Sequence, residues 1–137
     1  MIRRNPKSRR RSGLAAVESA AVYPVAILLL MGTIIMGLGI FRFEQLQFLA
    51  RQGARYASVH GPTYASENNQ SVASTSAVLA YVQGLTVNLD GLDCTAVTYS
   101  GTSVPCTVSV TLTYTWNPGQ LFSSMTWSAT STMPVTY

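Results

Sequence analysis

A chain of 137 residues, 47% hydrophobic, with nine basic and five acidic groups, has room for one small folded domain beside any long apolar segment. Six of the nine cations fall in residues 3–11 and none in residues 61–137. The net charge of +4 therefore speaks of topology and not of nucleic-acid binding, which would place cations on the folded part. One histidine, no paired histidines on a helix, no glycine-rich phosphate loop and no base for the abundant serines leave no enzyme constellation.

In chain order, Arg3, Arg4, Lys7, Arg9, Arg10 and Arg11 form a basic tail. Under the positive-inside rule it stays in the cytoplasm and the C-terminal part lies across the membrane. Ser12-Gly13-Leu14-Ala15-Ala16-Val17-Glu18 joins that tail to 23 uncharged residues, Ser19 to Phe41. As a helix this run measures roughly 34 Å, against about 30 Å of hydrocarbon to cross. It exceeds the 7 to 15 apolar residues of an ordinary signal peptide, so cleavage on its far side is not expected.

Glu18 is the anomaly, since an ionised acid within a bilayer costs on the order of 2.5–3.5 kcal/mol. Two readings compensate it. Either Glu18 sits at headgroup depth beside Arg9, Arg10 and Arg11, or a cut after Gly13 creates a positive amine at Leu14 that Glu18 meets in its own or a neighbouring chain. Pro24 removes one internal hydrogen bond and predicts a local kink. Gly32, Gly37 and Gly39 soften the segment without the spacing of the helix-dimerisation motif.

Past Phe41 polar residues from Arg42 to Arg55 interrupt the apolar ones at helical spacing, and the helix is predicted to continue as a stalk. Leu46, Ala50, Gly53 and Ala57 make one narrow face of small residues, suited to the core of the same chain or to another helix. Gly61-Pro62 stops the helix, and His60 is expected as its C-terminal cap. Tyr64 to Gln70 reads as a polar loop, with Asn69-Gln70-Ser71 an accidental sequon. Ser71 to Gly84 predicts a second short helix, and Leu85, Val87 and Leu89 a short strand before the Asp90-Gly91 turn.

Cys106 to Trp116 alternates without a slip: Cys106, Val108, Val110, Leu112, Tyr114 and Trp116 face one way, Thr107 to Thr115 the other. Residues 126–137 repeat the pattern, Asp93 to Ser100 supply a partner across Gly101 to Pro105, and Asn117-Pro118-Gly119 opens the later connection. An antiparallel sheet of three or four strands with one wet face is predicted under the helices. The 77 residues from Gly61 onward make a marginal core, so a staple is expected. Cys94 and Cys106, placed outside the cytoplasm, are expected to form a disulfide contributing about 3 kcal/mol. Reduced core thiols are the alternative, and a metal held by two cysteines and His60 is weaker still.

Arg11-Ser12-Gly13-Leu14-Ala15-Ala16-Val17-Glu18, an apolar helix, and then Ala50-Arg51-Gln52-Gly53-Ala54-Arg55-Tyr56-Ala57 together resemble the TadE-like pseudopilins of tight adherence (Tad, type IVc) pili. The resemblance covers the first 60 residues. Many members follow the Glu with Phe, and the major Flp pilins with Tyr. This chain has Ser19, which points away from the major pilin. The resemblance implies cleavage between Gly13 and Leu14 by a membrane prepilin peptidase, and Glu18 as an assembly residue. It also implies extraction by a pilus ATPase and the inner-membrane assembly platform, association with other pilins and pseudopilins, and passage from the bacterial inner membrane to a cell-surface adhesion pilus.

The expected fold is α+β: a basic leader (1–13), a transmembrane helix and stalk (14–60), and an extracytoplasmic domain (61–137) with a second short helix, the sheet and one disulfide. Membrane lipid is an expected contact, and no cofactor, metal, nucleic acid or catalytic residue is expected. The alternative from another class is a permanently anchored extracytoplasmic binding domain that is never cleaved, separated from the first by the mature amino terminus.

Overall fold

A computed structural model describes residues 8–86, 89–119 and 123–135. Three helices, α1 (Ser8–Val59), α2 (Pro62–Asn68) and α3 (Thr75–Leu85), precede three strands, β1 (Leu92–Tyr99), β2 (Thr107–Trp116) and β3 (Met125–Pro134). The chain divides into two compact units, the first ending at Leu38 and the second beginning at Gly39.

In the first unit α1 is, from Ser19 to Leu38, apolar on every side and mostly exposed, with Leu28 and Leu29 each about two-thirds or more open. A surface of that kind is stable only in an apolar solvent. Two of its hydroxyls are satisfied locally, Ser19 Oγ donating to the Ala16 carbonyl at 3.1 Å and Thr33 Oγ1 to that of Leu29 at 2.8 Å. The helix is assigned straight through Pro24, whose missing N–H leaves the Ala20 carbonyl without its intrahelical donor.

The second unit is a two-layer α+β body. An antiparallel meander, β1-β2-β3, turns one face to the helices. Val108, Val110, Leu112 and Tyr114 of β2 are buried there. The outer face is a lattice of hydroxyls that bond across strands: Thr95 to Thr113 at 3.0 Å, Ser109 to Thr132 at 2.7 Å, Thr111 to Thr130 at 2.9 Å and Thr115 to Thr126 at 3.2 Å. The period of two in the sequence thus becomes one dry and one wet face.

Residues 39–59 of α1 supply the helical half of the core through Leu46, Leu49, Ala50, Ala54 and Ala57, facing Val78 and Val82 of α3 and the inner face of β2. Gly53 marks the closest approach: a β-carbon there would lie 3.1 Å from Val78 Cγ1, 3.3 Å from Val82 Cγ2 and 3.4 Å from Val110 Cγ1. The small stripe is therefore a core seam within the chain.

Four expectations are corrected. Tyr64 to Gln70 is not a loop: Pro62, which ends α1, also occupies the first position of α2, whose helix runs to Asn68 and closes on Asn69 in the left-handed region at φ 53°. Leu85 ends α3 and does not begin a strand. Val87 of that predicted strand lies outside the described residues, among which the sheet has three strands. The second helix starts later than predicted, at Thr75, because Ser74 caps it by accepting from the Ala77 N–H at 3.3 Å.

The fourth correction is the disulfide. Cys94 and Cys106 are both free and buried. Register explains it. Cys94 pairs with Leu112 across the β1–β2 ladder, six residues from Cys106, or roughly 20 Å along a strand. Cys106 instead lies at the opposite end of the hairpin, where a β-carbon on Gly101 would come within 3.5 Å of its Cβ. Cysteines with Cα atoms more than about 7 Å apart cannot be bridged.

Candidate functional site

Gly13, Leu14 and Glu18 all lie in the first turns of α1. Gly13 is exposed, and a β-carbon on it would meet nothing within 4 Å. The Gly13–Leu14 bond is helical here, so a protease needs these turns opened. Glycine inside a helix weakens it by about 0.5–1 kcal/mol relative to alanine, which favours opening at this point. Glu18 is exposed and forms no ion pair among the described residues. Five residues separate Leu14 through Glu18 inclusive, little more than one helical turn, so a charge at the Leu14 nitrogen and the Glu18 carboxylate fall on the same stretch of surface.

At the other end of α1 the sequence expectation for His60 holds in detail. Its backbone N–H donates to the Tyr56 carbonyl at 3.2 Å and its Nδ1 meets the same oxygen at 2.9 Å. A carbonyl only accepts, so Nδ1 carries the proton. The ring stacks on Tyr56 at 4.2 Å, and Tyr56 stacks in turn on Tyr81 of α3 at 4.5 Å. A second cap comes from far away: Tyr99 Oη of β1 shares its proton between the Ala57 carbonyl at 3.0 Å and the His60 carbonyl at 3.3 Å. These are helix-end oxygens without intrahelical partners. Nothing in the local sequence marked Tyr99 for this role, which depends on β1 crossing the end of α1.

Burial, reinforced by the adjacent Asp93 carboxylate, holds the Cys94 thiol above its ordinary range, the reverse of an activated nucleophile. Burial likewise raises the Tyr99 phenol. Glu67, Asp90 and Asp93 are exposed, and no three His, Cys, Asp or Glu side chains among the described residues gather to hold a metal.

The class the fold defines is a chain with one exposed apolar helix, long enough to cross a membrane, and a small α+β head. Residues 13–55 match the TadE-like protein family, so about a third of the chain, beginning at Gly13 and taking in Glu18, the apolar run and Ala50 to Arg55, is TadE-like. This agrees with the resemblance read from the sequence. No curated protein and no solved structure gives a match. A helix long and apolar enough to cross a membrane, Ala15–Val59, overlaps most of the matched segment.

Proposed function

We propose that the chain is a pseudopilin, a minor subunit stored in the inner membrane with its basic tail in the cytoplasm and its head outside. A prepilin peptidase cuts it after Gly13. It is then drawn by the assembly platform into a Tad pilus or the complex that primes one. In this reading the new Leu14 ammonium of one subunit and Glu18 of its neighbour set the register of packing.

The observation that supports it is the placement of Glu18. It is the one charged residue from Ser12 to Phe41, it sits in a helix otherwise built for lipid, and it lies within a TadE-like segment that starts at Gly13. A charge at the edge of the hydrocarbon bears part of the roughly 2.5–3.5 kcal/mol that it would cost at the bilayer centre; that cost is relieved when a cation meets it in a low dielectric, and the pair is selective for geometry. The bond after Gly13 creates such a cation a turn away.

The test is the amino terminus. Intact mass and terminal sequencing of the protein from cells with and without the peptidase should give chains beginning at Leu14 and at the unprocessed residue, respectively. Replacement of Gly13 by a bulky residue should leave the precursor uncut. A chain that keeps its basic tail in peptidase-containing cells would overturn the proposal in favour of the uncleaved binding domain.

A further inference from the structure

The only two tryptophans of the chain, Trp116 and Trp127, meet at one end of the sheet's inner face, at the site where the uncharged run ends. Trp127 pairs with Tyr114, which places it diagonally beside Trp116. The rings stack at 5.3 Å, and Phe43 of α1 adds an edge contact to Trp127 at 6.3 Å. Both indoles lie over Gly39: a β-carbon there would come within 3.2 Å of Trp116 Cζ3 and 3.5 Å of Trp127 Cη2.

Gly39, Ile40 and Phe41 are the last three residues of the uncharged run, with Arg42 and Glu44 just beyond. About 20 residues span the hydrocarbon core, so in a run of 23 these three reach the water boundary. Rings in van der Waals contact with Gly39 sit at the depth of Gly39. Ile40 and Phe41 are 60% and 57% exposed on this end of the unit, and Met125, opposite Trp116 at the tip of β3, is 45% exposed. The two indoles are themselves only half buried.

We propose that this end of the head, centred on Trp116 and Trp127, is seated in the lipid interface, so that the membrane is held by the head as well as by the helix. Indole suits that layer because its body is apolar and its N–H is polar. Headgroup charge plays no part in the attraction. Asp90 lies at the same end of the sheet, joined to it where the Thr115 N–H donates to the Gly91 carbonyl at 3.4 Å, and at the end of the run Arg42 is matched by Glu44, so no excess of cations gathers there. The occupant is thus a neutral phospholipid surface. The inference rests on membrane anchoring by α1 and extends it to the head.

Because no other tryptophan is present, intrinsic emission reads this patch alone. The full chain, reconstituted in phosphatidylcholine vesicles, is to be floated on a gradient. Its emission is then measured with lipids brominated next to the headgroup, at mid-chain or at the tail end. Trp116→Phe and Trp127→Phe each leave one reporter. The expected result is flotation with emission quenched most by bromine nearest the headgroup and least by bromine at the tail end, in the parent and in both variants. Flotation without quenching overturns the proposal while leaving the helix anchor intact, and points to a protein partner for the patch. Quenching strongest from the tail end overturns the interfacial depth, and failure to float overturns the anchor and the proposal together.

Discussion

Gly53→Ala asks how tightly α1 is held in the head. The added carbon is opposed from two directions, by Val78 and Val82 of α3 and by Val110 of β2, at 3.1, 3.3 and 3.4 Å. All three valines are fully buried, and a β-branched side chain has little freedom to turn a methyl aside. Against this, alanine is favoured over glycine inside a helix by about 0.8–1.0 kcal/mol. Overpacking a filled core costs about 1–3 kcal/mol, so Gly53→Ala should range from neutral to a loss of about 2 kcal/mol. Gly53→Leu, with three further carbons and no space, should cost about 3 kcal/mol or more. Thermal unfolding of the full chain in detergent, followed by tryptophan emission from the sheet, reads the effect. One kcal/mol corresponds to about 4–8 °C for a domain of this size. If Gly53→Ala instead raises the midpoint by the full helix preference, α1 is not packed against α3 and β2 at these distances.

Tyr99→Phe removes the hydroxyl shared by the Ala57 and His60 carbonyls and should destabilise the head by about 1 kcal/mol in denaturant titrations. No change would show that water replaces it without loss. Cys94 and Tyr99 both have raised pKa values, so the unfolded chain loses these protons first as pH rises. Stability should hold level up to roughly pH 8.5, the ordinary thiol value, and fall above it. Cys94→Ala should delay that fall toward the tyrosine range in melts across alkaline pH. Glu18→Gln should leave insertion and cleavage intact but abolish crosslinking to partner pilins and incorporation into pili. Normal incorporation would return Glu18 to a headgroup role beside the basic tail.

Strict alternation made β2 legible, because every second residue from Val108 to Tyr114 had to share a face whatever the neighbouring strands did. The seam of Leu46, Ala50, Gly53 and Ala57 was legible for the same reason at helical period. What failed was read from features that carry no long-range register. Pro62 marks the end of one helix and the first turn of another equally well, and α2 buries only Ala65, so no apolar stripe announced it. Leu85 alternates with Val87 and Leu89 in the sequence, yet Leu85 completes the last turn of α3. The two cysteines looked adjacent because a hairpin joins their strands, but the pairing and the shift between Cys94 and Ala96 put them at opposite ends. The contact of Trp116 and Trp127 over Gly39 likewise needs the β2–β3 register and the packing of α1, neither of which is local.

The residues of α1 change their physical purpose at Gly39, where the second unit begins. Before that point apolar side chains cover every side of the helix and are mostly exposed, so most single replacements among them by another apolar residue should be tolerated. After it the apolar positions narrow to one stripe of small residues, and a single carbon at Gly53 meets three methyl groups. The head accounts for its own polar groups: no buried side-chain nitrogen or oxygen among the described residues lacks a partner, and its three acids beyond residue 60 are exposed to water. Glu18 has no such account. It caps nothing, it fills no core, and it raises the cost of the very insertion that its surroundings promote. On the proposed pseudopilin reading a later state uses that charge, so assembly, and not anchoring, is where its replacement should be felt.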